Sequence, residues 1–341
     1  MRSGDFMFLL FVVILLNSPF ARATPIEASK AIFKTIKQKE AKVSPFAATP
    51  PTHHQAFCTN FRLSELHLKF YIVINFADFY VFCCVSGRVE IVGYKYAMIQ
   101  LKAPTTGTIN GAHGTLNVWN PVVNPLGQSI SQIWIVAGDD TNLNTIEAGW
   151  RVNPSDGHSQ PRLFVYWTRD NYKSTGCYDL NCPGFVQTHK EFVVGAYLDS
   201  FSVYGGNQRE ITLNIQKDLT SGDWWLRIGD VVMGYWPASL FTSMAKSGGD
   251  IVAWGGEVAD FTAQDNHTIT QMGSGHFSSE GFQKSSYIRD IKYIGKFFTD
   301  IHPVQQDFDV RTTLPTCYNS NFDVHNSELR FFFGGPGCQT P

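Results

Sequence analysis

Residues 209–216 read REITLNIQ. In an extended chain Ile211, Leu213 and Ile215 fall on one face and Thr212, Asn214 and Gln216 on the other, the alternation of a half-buried antiparallel strand. Working outward from this segment, similar runs recur: YAMIQL (96–101), GTLNVW (114–119), SQIWIVAG (131–138), RLFVYWT (162–168), EFVVGAYL (191–198), DWWLRIG (223–229), DIVAWGGEV (250–258) and IKYIGKFF (291–298). Each is short, rich in β-branched and aromatic residues, and bounded by Gly, Pro, Asn or Asp. WPASLFTSMAKSG (236–248) reads as a single short helix, with an apolar stripe at Leu240, Phe241 and Met244 and a stop at Gly248. Many short strands without long intervening helices indicate an all-β fold, a sandwich or a barrel, and disfavour a doubly wound parallel sheet. One β domain over residues 93–341 is the simplest partition.

The N-terminal part has a different character. Residues 1–23, MRSGDFMFLLFVVILLNSPFARA, carry an apolar run from Phe6 to Leu16 and small residues at Ala21 and Ala23, the pattern of a secretory signal removed after about Ala23. Residues 24–92 form an accessory or truncated propeptide-like segment, Lys- and Pro-rich to about residue 56, with a helix expected over Ile26–Val43. The run Phe70 to Val85, FYIVINFADFYVFCCV, is open to three readings: a membrane-associated segment, buried strands, or an insertion. Export suits the cysteines. Cys177 and Cys182 enclose a short loop in GCYDLNC and are expected to pair, as are Cys317 and Cys338 around the last segment, leaving Cys58, Cys83 and Cys84. Asn266 begins the NHT sequon, a glycosylation site in an exported chain.

Lys and Arg number 27 against 29 acidic residues, so no general field attracts a nucleic acid, and no stable membrane partner is expected. The nucleophile elbow, the HExxH zinc motif, the phosphate-binding loop and the dinucleotide fingerprint are all missing, and neither a metal nor a cofactor is expected. Two acidic residues stand apart. Glu147 in NTIEAGWRV and Glu257 in AWGGEVAD lie among Ile, Val and Trp, where a carboxylate must be paired, hydrogen-bonded or protonated. Exposure on a strand's wet face, or pairing with an arginine such as Arg151, is the alternative.

The words SQIWIVAG, TIEAGWRV, RLFVYWTRDNYKSTGCYDLNCPGFVQT, GDWWLRIG, MGYWP, VAWGGEV, MGSGHF and FFFGGPGCQTP occur in this order over about Tyr94 to Pro341. They resemble the plant neprosin domain, whose founding member is a post-proline glutamic endopeptidase. The resemblance implies an antiparallel β-sandwich of many short strands and a glutamic peptidase that hydrolyses proline-containing peptides or proteins after proline. Its catalytic glutamates fall on Glu147 and Glu257. It also implies a secreted zymogen of the apoplast or cell wall, whose N-terminal segment is a further possible partner, although the Asp-Cys word usual in relatives' accessory domains is absent here.

Two carboxyls at close range cannot easily both be charged. One then takes a proton from water while the other donates one, with activity expected in acid. Gly255 and Gly256 beside Glu257 suggest open access for water and favour it as the base. Gln132 is a candidate donor to the oxyanion, and Trp150, Tyr166, Tyr235 and Trp254 are candidate surfaces for an extended peptide and a proline ring. The competing reading is a catalytically inactive binding module on the same sandwich.

Overall fold

The computed structural model describes residues 55–59, 68–74, 79–85, 94–101, 108–139, 141–260, 268–325 and 328–338. The expected secretory signal, the helix expected over Ile26–Val43 and the sequon at Asn266 lie outside them. The chain divides into two units, residues 1–56 with 73–80 and residues 57–72 with 81–341. Strands β1 (Gln55–Thr59), β2 (Leu68–Ile74) and β3 (Phe79–Val85) precede the main domain, and residues 70–74 and 79–85 of the apolar run fall on the last two.

The rest is an all-β sandwich of two antiparallel sheets. The seven-stranded sheet runs β17 (Phe308–Thr312), β4 (Tyr94–Leu101), β14 (Ile251–Asp260), β6 (Gly127–Ala137), β7 (Asn144–Asn153), β8 (His158–Thr168) and β9 (Cys177–Tyr178). The nine-stranded sheet runs β10 (Val186–Gln187), β13 (Val231–Trp236), β12 (Trp224–Ile228), β11 (Glu210–Lys217), β5 (Gly111–Asn117), β15 (Ser286–Ile294), β19 (Glu328–Gly334) and β18 (Asn319–His325), with β16 (Asp300–Ile301) beside β15. The expected short helix is a single turn or so, α1 (Ser243–Ser247), after a 3-10 turn at Ala238–Leu240.

The inner faces meet in one core. Ile133, Ile146, Trp150 and Trp254 of the first sheet pack with Leu213, Ile215, Trp224 and Phe333 of the second, all buried. Two indole bonds cross between the sheets: Trp150 donates to the Asn117 carbonyl and Trp254 to the His113 carbonyl, each at 3.0 Å. Sheets packed this closely leave little room at one point. A Cβ on Gly256 would lie 2.6 Å from the Phe333 ring, so a side chain there would force the layers apart.

β11 alternates as its sequence predicts, with Leu213 and Ile215 fully buried. EFVVGAYL does not form a strand. Its Phe192 and Val193 are exposed, the His189 ring accepts from the Glu191 and Phe192 amides, and Gly195 turns at φ 86°. Local capping thus satisfies its first amides, while the Gly195 and Leu198 amides donate to the Leu163 and Pro161 carbonyls of β8. Both expected disulfides are present. Cys177–Cys182 closes the loop beside β8, and Cys317–Cys338 fastens the chain after β19.

Candidate active site

The central strand of the seven-stranded sheet determines where Glu147 and Glu257 stand. On β6, Ile130, Gln132 and Trp134 share the outer face, the one turned away from the nine-stranded sheet. Glu257 on β14 pairs with Ile130, and Glu147 on β7 pairs with Trp134. Between these two levels, Gln132 pairs with Gly255 on one side and Gly149 on the other. The carboxyls therefore approach Gln132 from neighbouring strands across a level that carries no other side chain. Beyond them the register adds a tyrosine to each: Tyr96 of β4 opposite Glu257, and Tyr166 of β8 opposite Glu147.

The glycines are needed for close backbone approach. A Cβ on Gly149 would collide with the Ser131 carbonyl, and one on Gly255, at φ 152°, would come within 2.5 Å of the Ala97 carbonyl. This corrects the expectation that Gly255 and Gly256 open a path for water to Glu257. Gly255 accommodates β4, and Gly256 faces the opposite layer.

Each glutamate is only 6% exposed. The Glu147 carboxylate accepts from Tyr172 Oη at 2.8 Å and Thr145 Oγ1 at 2.9 Å. Gln132 Nε2 donates to Glu257 at 3.3 Å and acts on Glu147 as well, while Gln132 Oε1 is buried without a hydrogen-bond partner. Burial raises the Glu147 carboxyl above the ordinary range, and the Tyr172, Thr145 and Gln132 donors pull it part of the way back. Glu257 is raised too, by burial and then by the charge of Glu147. Neither shift has a basic side chain among its causes. Arg151, the neighbour that could have paired with a carboxylate, is engaged by Asp156 at 2.7 Å and lies over the Tyr178 ring.

Aromatic groups enclose the pair. Tyr96 meets Trp134 edge-on, and Tyr166 stacks with Tyr172 at 5.9 Å and contacts Tyr178 at 4.5 Å between centroids. Burial raises the phenols of Tyr96, Tyr166, Tyr172 and Tyr178, and both glutamates raise them further.

Of the residues singled out from sequence, Glu147, Glu257, Gln132 and Tyr166 come together here. Trp150 and Trp254 do not: both point inward and are fully buried, so they belong to the core and offer no surface to a peptide. Tyr235 is on the nine-stranded sheet, its ring tilted against Trp225 with centroids 4.7 Å apart. Trp225 lines a groove of about 710 Å³ with Asn214, Gln216 and Arg227 on that sheet, and neither glutamate lines it. Sequence reasoning missed Tyr96, Thr145 and Tyr172. Thr145 was within reach of a period-of-two argument, being two residues from Glu147 on the same strand; Tyr172 comes from a loop and carries no periodicity. Among the described residues no group of three or more His, Cys, Asp or Glu side chains could hold a metal ion, and no helix is long and apolar enough to cross a membrane.

A family model described as Neprosin matches residues 126–336. Among solved structures, the chain is similar to scytalido-glutamic peptidase with a transition state analog inhibitor at 10% identity and a TM-score of 0.37, covering 70% of this chain and 98% of that one. It is also similar to the same peptidase with a peptide based transition state analog, at 11% identity and a TM-score of 0.35, covering 70% and 97%.

Proposed function

The chain belongs to the Neprosin family, and on that premise we propose that it is a glutamic endopeptidase in which Glu147 and Glu257 activate water against a peptide bond, preferentially after proline. The observation that carries this reading is the pair itself: two buried carboxyls, without a basic partner, on either side of one carboxamide. A buried charge without a counter-ion is costly, and a fold that keeps two such groups on one face gains nothing in stability from them.

Tyr172 and Thr145 donate to Glu147 and favour its ionised form, while Glu257, to which Gln132 donates at 3.3 Å, keeps its proton, so the roles are the reverse of those the glycines suggested. Glu147 removes a proton from water as the water oxygen bonds to the scissile carbonyl carbon. Glu257 gives its proton to the carbonyl oxygen, yielding a neutral tetrahedral diol. As the C–N bond breaks, Glu147 passes its proton to the departing nitrogen and Glu257 recovers one from a diol hydroxyl. Both carboxyls then stand as they began. The rings of Tyr166 and Tyr172, nearly parallel beside Glu147, offer flat surfaces to a proline.

Secretion, maturation from a precursor, and glycosylation at Asn266 belong to the same proposal. They are supported by the signal-like residues 1–23 and the sequon. The activity is tested by incubating purified secreted protein with proline-containing peptides. Cleavage should follow proline and fall at least about a hundredfold in Glu147→Gln and in Glu257→Gln, with both variants folded. Full activity in either variant would overturn the mechanism, and a folded, processed wild type that cleaves nothing would favour the binding module.

A further inference from the structure

Residues 168–175, TRDNYKST, wind around one carboxylate. Asp170 accepts from the amides of Lys173 (3.2 Å), Ser174 (3.0 Å) and Thr175 (3.1 Å), and from the hydroxyls of Thr168 (3.2 Å), Ser174 (2.5 Å) and Thr175 (2.7 Å). Burial works against its charge, but these donors hold it far below the usual carboxylate range. The Asn171 amide bonds to the Leu143 carbonyl just ahead of β7, and the Cys177–Cys182 disulfide follows, where Cys177 and Tyr178 pair with Trp167 and Tyr166.

Held at both ends, the loop places Asn171 and Tyr172 at φ 57° and 59°. Two successive non-glycine residues in the left-handed region are disfavoured, and persist only where their surroundings over-determine them. The result is a tyrosine that is 52% exposed at the surface yet delivers its hydroxyl to buried Glu147, its ring nearly parallel to Tyr166.

We propose that Tyr172 is the positioning residue of the glutamate pair: on its Asp170-centred loop, it aims Glu147 and holds it as the ionised member. The inference rests on the peptidase reading only for its catalytic consequence. Around Glu147 stand Glu257 on β14, Tyr96 on β4, Tyr166 on β8, Tyr178 on β9, and the Thr145 and Gln132 donors. With no cation acting on Glu147, hydrogen bonds are what counter its burial.

Tyr172→Phe keeps the ring and removes only the donor. Its test on the full secreted chain has two readouts. In the pH dependence of kcat/KM, loss of the donor makes Glu147 protonate more readily, so the acid limb moves up by about one pH unit while KM stays within about twofold. Asp170→Ala, which frees the loop, moves the limb in the same direction. In ¹³C NMR of glutamate labelled at the side-chain carboxyl, the resonance missing from Glu147→Gln titrates at higher pH in Tyr172→Phe than in wild type. An unchanged or lower Glu147 midpoint overturns the proposal. If the wild type cleaves no peptide the dyad reading fails, but the NMR titration still decides the role of Tyr172.

Discussion

Glu210 and Glu257 both stand on outer sheet faces, and their environments drive them in opposite directions. On the nine-stranded sheet, burial raises Glu210, but Arg289 Nη2 at 2.7 Å and Tyr287 Oη at 2.6 Å outweigh it and hold the carboxyl below its ordinary range. Arg289 also reaches Glu328, which in turn binds Arg330, so charge there is balanced in a partly exposed network. On the seven-stranded sheet, Glu257 has a second carboxyl for a neighbour and rings for walls, and is driven up. The outer face of one sheet is built for solubility and stability. The other keeps two acids at a cost, the environment that the proposed proton transfer requires.

The largest expected contrast is catalytic. Against the loss of at least about a hundredfold at Glu147 or Glu257, Glu210→Gln should leave kcat on a proline peptide within about twofold. An equal loss at Glu210 would erase the distinction between the faces.

Next in size is the core beneath the site. Trp254→Ala should destabilise folding by roughly 3–5 kcal/mol in denaturant titration, as expected for a buried indole. Stability close to wild type, with a raised KM instead, would return Trp254 to the substrate surface.

A smaller effect separates the two glutamates by sign. Glu257 titrates higher in the folded chain than in the unfolded one, so its cost is absent below about pH 4 and grows as pH rises. Glu257→Gln should therefore match wild type in Tm in acid and exceed it by a few degrees at neutral pH. Glu210 titrates lower when folded, so its contribution is present at neutral pH and lost in acid. Glu210→Gln should be less stable than wild type at neutral pH and converge on it in acid. Calorimetry across that range checks both signs; like signs would mean that the environments do not differ as described.

How much of this was legible beforehand depended on burial. β11 has one wet face, so REITLNIQ announced both its strand and its inward residues. β7 and β14 are buried on almost every residue, on both faces, and alternation disappears where both sides are dry. Sequence could therefore mark Glu147 and Glu257 as out of place but could not tell that Trp150 and Trp254, odd-numbered steps away, point to the opposite side. EFVVGAYL had a strand's composition, but its first amides go to the His189 ring, and only a single bridge at Tyr197 joins its end to β8. The pairing of Gln132 with two glycines rests on register, which no single strand encodes.

The central claim is that the buried pair holds one proton and that Glu257 carries it. Infrared difference spectroscopy of the folded chain, taken at the pH where raising pH from about 4 has removed half of the pair's protonated-carboxyl signal, tests this directly. A protonated-carboxyl band should be present in wild type, persist in Glu147→Gln and be missing from Glu257→Gln. A band that persists in Glu257→Gln and vanishes in Glu147→Gln, or a wild type with no contribution from either glutamate, would contradict the account.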